Sequence, residues 1–511
     1  MSFVQVLLSN PALSPQERQA ALDRIFSDPG IPDANRTTSS FWLRHPHPEL
    51  AGIRSSSLPA EADVVIIGSG ITGASVAKAL LECTAQDKPR VVVLEARDIC
   101  SGATGRNGGH ALETAEEFAD LEERIGLESA RKVMRFKLAH LNEFIQVAEE
   151  YGLTEEAQVR KVEFLSTYFD EMRWMEAKGA ISRFKECMPE ESREWKILEK
   201  DDIPTEFHLP HAYGIISGPA GALWPYKYIT GIFAHLQHQF PNNLSIETNT
   251  PVTDITKTSN PTHPYTLTTP RGAIRTRHII HCTNAHAARL IPDLKGRIYP
   301  IRGQMSAQTP GSKFPFQGSH HSWIFNYEKG FDYLTQLPHS AHSAGEMMLG
   351  GGFAQGEVCG TADMGISSDD ELSLYADIHL SGALGAVFGR ENWGEVAGSA
   401  VKMMWTGNMG FSADGLPWVG RLTDFLTRRE GGGDAGEWIC AAFSGEGMVQ
   451  AWLSGKALAM MVLDCDKRLA LGFSADLTWF PDEMMVSEKR VKEAVLPRFV
   501  EGSNMQRGTH L

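Results

Sequence analysis

Gly68-Ser69-Gly70-Ile71-Thr72-Gly73 has the spacing G-x-G-x-x-G and lies between an apolar run, Asp63-Val64-Val65-Ile66-Ile67, and a helical pattern from Ala74 to Leu81. In that context the motif is one that binds a dinucleotide. A glycine at Gly68 permits a tight turn, one at Gly70 lets a pyrophosphate approach the backbone, and one at Gly73 lets the helix pack on the sheet. The helix N-terminus then turns N–H groups and partial positive charge toward the phosphates. Glu95, 22 residues after Gly73, is placed to accept hydrogen bonds from an adenosine ribose, and Ala96 and Arg97 follow it directly as cofactor-binding candidates. Six residues after Glu95 begins Ser101-Gly102-Ala103-Thr104-Gly105-Arg106-Asn107-Gly108-Gly109-His110. Its small residues and hydroxyls let backbone come close to a flat ring and a second phosphate, a segment that a nicotinamide site does not need.

The elements that must hold these residues are legible around them. Asp63 to Ile67 and Arg90 to Glu95 are continuous apolar runs of strand length, the pattern of parallel strands buried on both faces. With the helix between them they form a β-α-β unit that starts a doubly wound sheet. A long amphipathic helical stretch runs from about Thr114 to Tyr151, with Met134, Leu138, Leu141, Ile145 and Ala148 on one face for packing. Leu244 to Ile255 and Tyr265 to Ile280 read as a small antiparallel meander feeding a buried strand at His278 to Cys282. Arg428 to Gly436 is a glycine-rich loop, and Trp438 to Ala442 is a last buried strand before another helix. Residues 1–60 read as an arm draped on the body, with one helix from Ser14 to Phe26.

Composition narrows the classes of function. The 511 residues are 42% apolar and 22% charged, which excludes a disordered, collagen-like or coiled-coil chain. A formal charge of −15 repels phosphate backbones and anionic bilayers, so neither nucleic acid nor membrane is an expected partner. Seven scattered cysteines without a C-x-x-C pair argue against a disulfide framework or zinc, and no histidine has convincing metal-ligand spacing, so no metal site is expected. A reducing, cytoplasmic location follows, with the peroxisome as the alternative because Thr509-His510-Leu511 partly matches an S-K-L ending.

Four matches in order over residues 60–465 make the chain similar to the FAD-dependent amine and amino-acid oxidases, the family of glycine oxidase, D-amino-acid oxidase, sarcosine oxidase and gamma-glutamylputrescine oxidase. They are the nucleotide motif with Glu95; the run from Ser101; His281-Cys282-Thr283-Asn284-Ala285 with Pro300-Ile301-Arg302-Gly303-Gln304; and Ser412 to Gly420 with Phe443 to Met448. The resemblance implies that Ser101, Gly102, Ala103, Thr104, Arg106, Asn107, Gly108 and Gly109 lie along the pyrophosphate, ribityl chain and flavin edge. It places Val252 at the adenine and Thr283 and Asn284 beside the cofactor. Gly445, Glu446, Gly447 and Met448 then form the turn whose N–H groups face the flavin O2 side. Glu446 departs from the family's G-H-G spelling and is expected to point away from the ring. Sarcosine oxidases attach flavin through a cysteine where this chain has Gly407, so FAD is expected without a covalent link there. They also carry a lysine in the turn where this chain reads Met448-Val449-Gln450.

On the substrate side the resemblance implies a cavity walled by Tyr333 and Trp405, with His110 closing the flavin segment; these three are the catalytic-site candidates. Arg302 is a candidate for a substrate carboxylate. The fold implied is α/β plus α+β, a discontinuous Rossmann-like FAD-binding domain with an interleaved mixed-sheet substrate domain. The segments are an arm at 1–60; FAD-binding parts at 61–155, 216–300 and 401–470; substrate parts at 156–215 and 301–400; and a C-terminal extension at 471–511. The implied reaction is hydride transfer from a small amine or amino acid to flavin, hydrolysis of the imine, and reoxidation by O2 with release of H2O2. The alternatives are a flavin dehydrogenase passing electrons to a quinone or carrier protein, and a non-catalytic FAD-binding protein.

Overall fold

A computed structural model describes residues 7–83, 88–314, 320–396, 398–429, 433–470 and 472–497. Its strands, in chain order, are β1 (Glu61–Ile67), β2 (Val91–Leu94), β3 (His110–Ala111), β4 (Arg160–Tyr168), β5 (Lys196–Glu199), β6 (Gly214–Ala222), β7 (Leu244–Glu247), β8 (Asp254–Lys257), β9 (Tyr265–Thr269) and β10 (Gly272–His281). They continue with β11 (Ile298–Gln308), β12 (His321–Asn326), β13 (Phe331–Gln336), β14 (His339–Ser340), β15 (Ser343–Ala344), β16 (Met347–Gly351), β17 (Val401–Ser412), β18 (Trp418–Arg421) and β19 (Gly436–Ala441). Among its helices are α1 (Pro15–Ile25), α2 (Ile71–Glu82), α3 (Ala115–Ile125), α4 (Leu127–Glu150), α5 (Pro225–Gln239), α6 (Leu374–Val387) and α7 (Ala451–Cys465).

The first sheet has the order β18-β19-β10-β1-β2-β7, with β8 and β9 hanging from β10. Its centre is parallel: Val64 lies opposite Val91 on one side and opposite His278 on the other, and His278 opposite Gly436. Val64, Val65 and Ile66 are wholly buried, as a strand covered on both faces requires. Helix α2 returns across this sheet against α7, and the two approach closely because Gly455 has no side chain; a Cβ there would lie 2.9 Å from the Thr72 carbonyl oxygen. The second sheet runs β17-β11-β16-β13-β12-β4-β6-β3, with β5 on β6, and a separate apolar cluster packs between it and α6. Its backbone is the long antiparallel pair β11–β17, in register from Ile298 opposite Ser412 to Ala307 opposite Met403.

Two sequence expectations change. The single helix over 114–151 is two, α3 and α4, because Gly126 between them takes a left-handed φ of 81° and breaks the ladder. β8, β9 and β10 form the expected meander, but β7 leaves it for the far edge of the parallel sheet, where Leu244 and Ile246 are buried beside β2. β6 and β17, and the start of β11, pair within the second sheet. The helix at the N-terminus forms as expected, from Pro15 behind a Ser14–Glu17 capping box. The C-terminal tripeptide and part of the 428–436 loop lie outside the described residues.

At the end of the parallel sheet, His281 Nε2 lies 3.2 Å and Arg429 Nε 2.6 Å from the Glu437 carboxylate. Burial alone would raise the Glu437 pKa, but these two partners hold it down at about 2. Among the described residues no helix is long and apolar enough to cross a membrane, and no group of three or more His, Cys, Asp or Glu is arranged to hold a metal ion.

Candidate active site

One elongated cleft begins at the carboxyl ends of β1, β2 and β10 and runs to the face of the second sheet. Its lining runs from the glycine loop and Glu95 to Tyr333 and Phe443. That lining suits an extended dinucleotide.

The nucleotide end is shaped by steric need. Gly68 has φ +112°, and a Cβ on it would lie 2.6 Å from the Cys282 carbonyl oxygen. A Cβ on Gly73 would lie 2.1 Å from the Gly68 carbonyl oxygen, so Gly73 sits under the loop and serves packing of helix on strand, while Gly68, Ser69, Gly70, Ile71 and Thr72 line the cleft. Gly70 caps α2 without any side-chain acceptor, and the first N–H of the helix, on Ile71, donates to Thr104 Oγ1 at 3.0 Å. The Glu95 carboxylate is already oriented: it accepts from Ser69 N at 3.0 Å, Ser69 Oγ at 2.7 Å and Arg97 N at 3.0 Å. Ala96, Arg97 and Val252 share this wall.

The run after Glu95 divides into lining and support. Gly102, Ala103, Thr104, Arg106 and Asn107 line the cleft; Ser101, Gly108 and Gly109 stand behind it. Gly109, at φ +63°, has the Leu223 carbonyl oxygen where a Cβ would go, 2.2 Å away. Gly108 has the Tyr333 ring 2.6 Å from the same position, which is how Tyr333 reaches the wall. Asn107 closes its own turn, accepting from Gly109 N at 2.7 Å. The Arg106 guanidinium faces the other way: it donates to Ser101 O at 2.9 Å, Thr406 O at 2.8 Å and Thr38 O at 2.8 Å, and lies 3.2 Å from Asp369.

Two of the three catalytic candidates are displaced from the wall. Trp405 is wholly buried behind it, its indole N–H donating to Arg106 O at 2.8 Å, whereas Gly407, Asn408, Met409 and Gly410 of the same strand line the cleft. His110 lies on β3 against β6, outside the lining; burial, aided by the charge of Arg160, pushes its pKa down to about 3, so the imidazole is neutral. Arg302 is paired with Asp363 at 2.7 Å and is likewise off the wall. Tyr333 stays on it, with burial, helped by Asp332, raising its hydroxyl pKa to about 12. Thr283 and Asn284 line the cleft at the end of β10, where Asn284 Oδ1 accepts from Ala442 N at 2.9 Å.

Gly445, Gly447 and Met448 line the far part of the cleft, while the Glu446 side chain turns away from it to Lys137, 2.7 Å distant. Lys137, on α4 and 1% exposed, also lies 3.0 Å from Glu117 and 3.4 Å from Glu113. Burial lowers the Lys137 pKa, but the three carboxylates outweigh it and hold it above its ordinary value. Burial raises both Glu113 and Glu446, with Lys137 opposing.

Some of the wall carries no sequence signal. Gly30, Ile31 and Pro32 of the N-terminal arm line the cleft, as do Asp369 and His286, and only tertiary folding brings them there. The residues present fit a dinucleotide with a flat ring: the glycine cradle, the oriented Glu95, and buried polar atoms on the wall without protein partners, Thr283 Oγ1 and Asn408 Oδ1.

Residues 63–461 match the family described as DAO, FAD dependent oxidoreductase. Among curated proteins the chain is 22% identical over 420 residues to a probable oxidoreductase, OrdL, of Haemophilus influenzae, covering 80% of this chain and 85% of that one. Among solved structures it resembles glycine oxidase from Geobacillus kaustophilus, with a TM-score of 0.57 and 17% identity over 84% of this chain and 99% of that one. It also resembles L-amino acid deaminase from Proteus vulgaris, with a TM-score of 0.59 and 16% identity over 86% and 98%. L-proline dehydrogenase from P. horikoshii gives a TM-score of 0.57 and 18% identity over 81% and 96%. At such identities the likeness is one of fold, whereas the family match spans most of the chain and coincides with the cleft: the protein belongs to the FAD-dependent oxidoreductase family, with FAD as its non-covalent cofactor.

Proposed function

We propose that the protein oxidises the C–N bond of a small amine or amino acid and that O2 is the final acceptor, yielding H2O2. The observation that carries this reading is the continuity of the cleft: the nucleotide loop leads without a break to a wall of Met305, Tyr333, Met409 and Phe443 on and beside the second sheet. FAD, when bound, supplies a two-electron acceptor for a hydride from the carbon bearing nitrogen. The chain's own part is to bind, orient and dehydrate. Ser69, Gly70, Ile71 and Thr72, with Glu95, would hold the pyrophosphate and ribose; Thr104, Asn107, Thr283 and Asn284 would hold the middle of the cofactor; Gly445, Gly447 and Met448 would face the ring.

Opposite them, the apolar side chains exclude water, which favours the uncharged amine needed to release a hydride. Tyr333 stays protonated throughout the physiological range because burial raises its pKa, so its hydroxyl can accept an N–H and fix the nitrogen over the ring without taking a proton. The neutral His110 stands outside this wall.

The test is anaerobic bleaching of the flavin by N-methyl amines, D-amino acids, polyamine conjugates and modified amino acids, followed by admission of air. Bleaching by a member of these classes, with peroxide released on reoxidation, is the expected result. If only a hydroxy acid or alcohol bleaches the flavin, the C–N assignment fails. If an amine bleaches it and electrons pass to a dye without peroxide, the acceptor assignment fails.

A further inference from the structure

The N-terminal arm precedes the family match, yet it touches the cofactor cleft at two places. At the first, Pro29 is buried and Gly30, Ile31 and Pro32 line the cleft, as do Arg97, Val252 and Leu290. This stretch is tied down on its own side: the Gly30 carbonyl oxygen lies 3.1 Å from His286 Nδ1, and Asp28 pairs with Arg289 at 3.0 Å. At the second, Thr38 N donates to Asp369 O at 2.7 Å, Ser40 Oγ donates to Gly105 O at 2.7 Å, and the Trp42 indole donates to Asn107 O. Between the two contacts residues 33–37 cross exposed to solvent.

The second contact is fastened by one ion cluster. Asp369 takes Arg97 Nη1 at 2.9 Å and Arg106 Nε at 3.2 Å on its carboxylate, while its backbone carbonyl takes the arm. Arg106 donates to Thr37 and Thr38 of the arm, to Ser101 O in the loop after Glu95, and to Thr406 O on β17. The planar fork of an arginine can serve such a set at once, whereas a lysine ammonium cannot. Arg106, read from sequence as a cofactor contact, has most of its donors on protein partners and acts as the tie.

We propose that residues 28–42 are a built-in strap of the dinucleotide site: Ile31 and Pro32 cover the adenosine half of FAD, Arg106 and Asp369 fasten the strap to the loop beneath, and FAD leaves only when the strap is lifted. The cofactor therefore exchanges slowly for a reason independent of the contacts made by the glycine loop.

The test uses full-length holoenzyme and reads FAD release as free-flavin fluorescence after dilution, apart from any turnover. The double variant Ile31→Ala with Pro32→Gly, which trims the cover and leaves every tie in place, is expected to release FAD at least about tenfold faster, a change of ~1.4 kcal/mol. Arg106→Lys is expected to do the same. In the wild type, backbone hydrogen exchange over residues 28–42 is expected to slow at least severalfold on loading apoprotein with FAD. Release at the wild-type rate from the double variant, or exchange in the strap indifferent to FAD, overturns the proposal. Should Arg106→Lys fail to fold, the double variant and the exchange measurement still decide it. Substrate-dependent bleaching of the flavin is a separate readout, so failure of the strap and failure of the amine assignment are distinguishable.

Discussion

Replacing Lys137 by methionine keeps the length and apolar stem of the side chain and removes its charge. The ammonium sits 1% exposed with carboxylates of Glu446, Glu117 and Glu113 at 2.7, 3.0 and 3.4 Å. Taking one partner out of a buried ion cluster costs ~3–5 kcal/mol, because the remaining charges stay buried without compensation. Against a total stability of ~5–15 kcal/mol this is a large share. The cost depends on pH in a definite direction. The folded pKa of Lys137 is raised, so in the wild type its contribution is present below the unfolded lysine value of ~10.4 and persists through the neutral range. In the variant Glu113 and Glu446, which burial raises even beside Lys137, lose that opposing charge and stay above the unfolded ~4.3, so the fold binds more protons than the unfolded chain. The deficit should therefore be smallest at acid pH, as the carboxyls become protonated in both states below ~4.3, and grow as pH rises through 7.

Guanidinium unfolding followed by tryptophan fluorescence between pH 4.5 and 8.5 measures this directly. Adding Glu446→Gln to the Lys137→Met background should recover ~1–2 kcal/mol at pH 8, since the two positions are in contact and their effects are not additive. A loss of equal size at both ends of the pH range, or strict additivity of the two substitutions, would show that the cluster is not held by charge.

Glu95→Gln should weaken FAD binding about tenfold, measured by titrating apoprotein and following flavin fluorescence, because a charge-assisted acceptor worth ~1.5–3 kcal/mol is replaced by a neutral one. Gly73→Val should lower stability by at least ~1–3 kcal/mol and reduce the FAD content of purified protein, since the first added carbon already meets the Gly68 carbonyl at 2.1 Å. Glu437 is held at a lowered pKa of about 2, so its stabilisation is present above the unfolded ~4.3 and is lost as pH falls toward 2. Glu437→Gln should accordingly lower the melting temperature at pH 7 and flatten its decline between pH 5 and 2.5.

The parts of this molecule that were readable from the chain are those whose reason is local. β1 and β2 announce themselves because strands covered on both faces must be apolar at every position, and Gly68, Gly73 and Gly109 each answer to a backbone atom where a side chain would go. The type of Arg106, Trp405 and His110 could be read, but not their direction. An arginine beside small residues looks like a phosphate ligand until Thr37, Thr38 and Thr406 are seen to take its donors. Trp405 shares its strand face with Gly407 and Met409, so alternation alone would set it on the cleft, and only the folded structure shows it lying behind Arg106, whose carbonyl takes its indole N–H. Lys137 and Glu446 lie on α4 and on the turn after β19, so no local pattern joins them. The cover formed by Ile31 and Pro32 is invisible for the same reason: a loop composition gives no hint of what it lies across.

The strand order of the first sheet also sets a clock on synthesis. β1 finds β2 within a short stretch of chain, but its other neighbour is β10, and β10 in turn waits for β19. The start of β19 is about 370 residues beyond the end of β1. At ~5–20 residues per second the edge of β10 meets its partner roughly 20–75 s after β1 is made. Until then an apolar strand edge stands uncovered, a template for pairing with other chains. A nascent chain arrested before residue 436 would lack the strand beside β10 and the turn at 445–448, so cofactor loading belongs to the last stage of the protein's making.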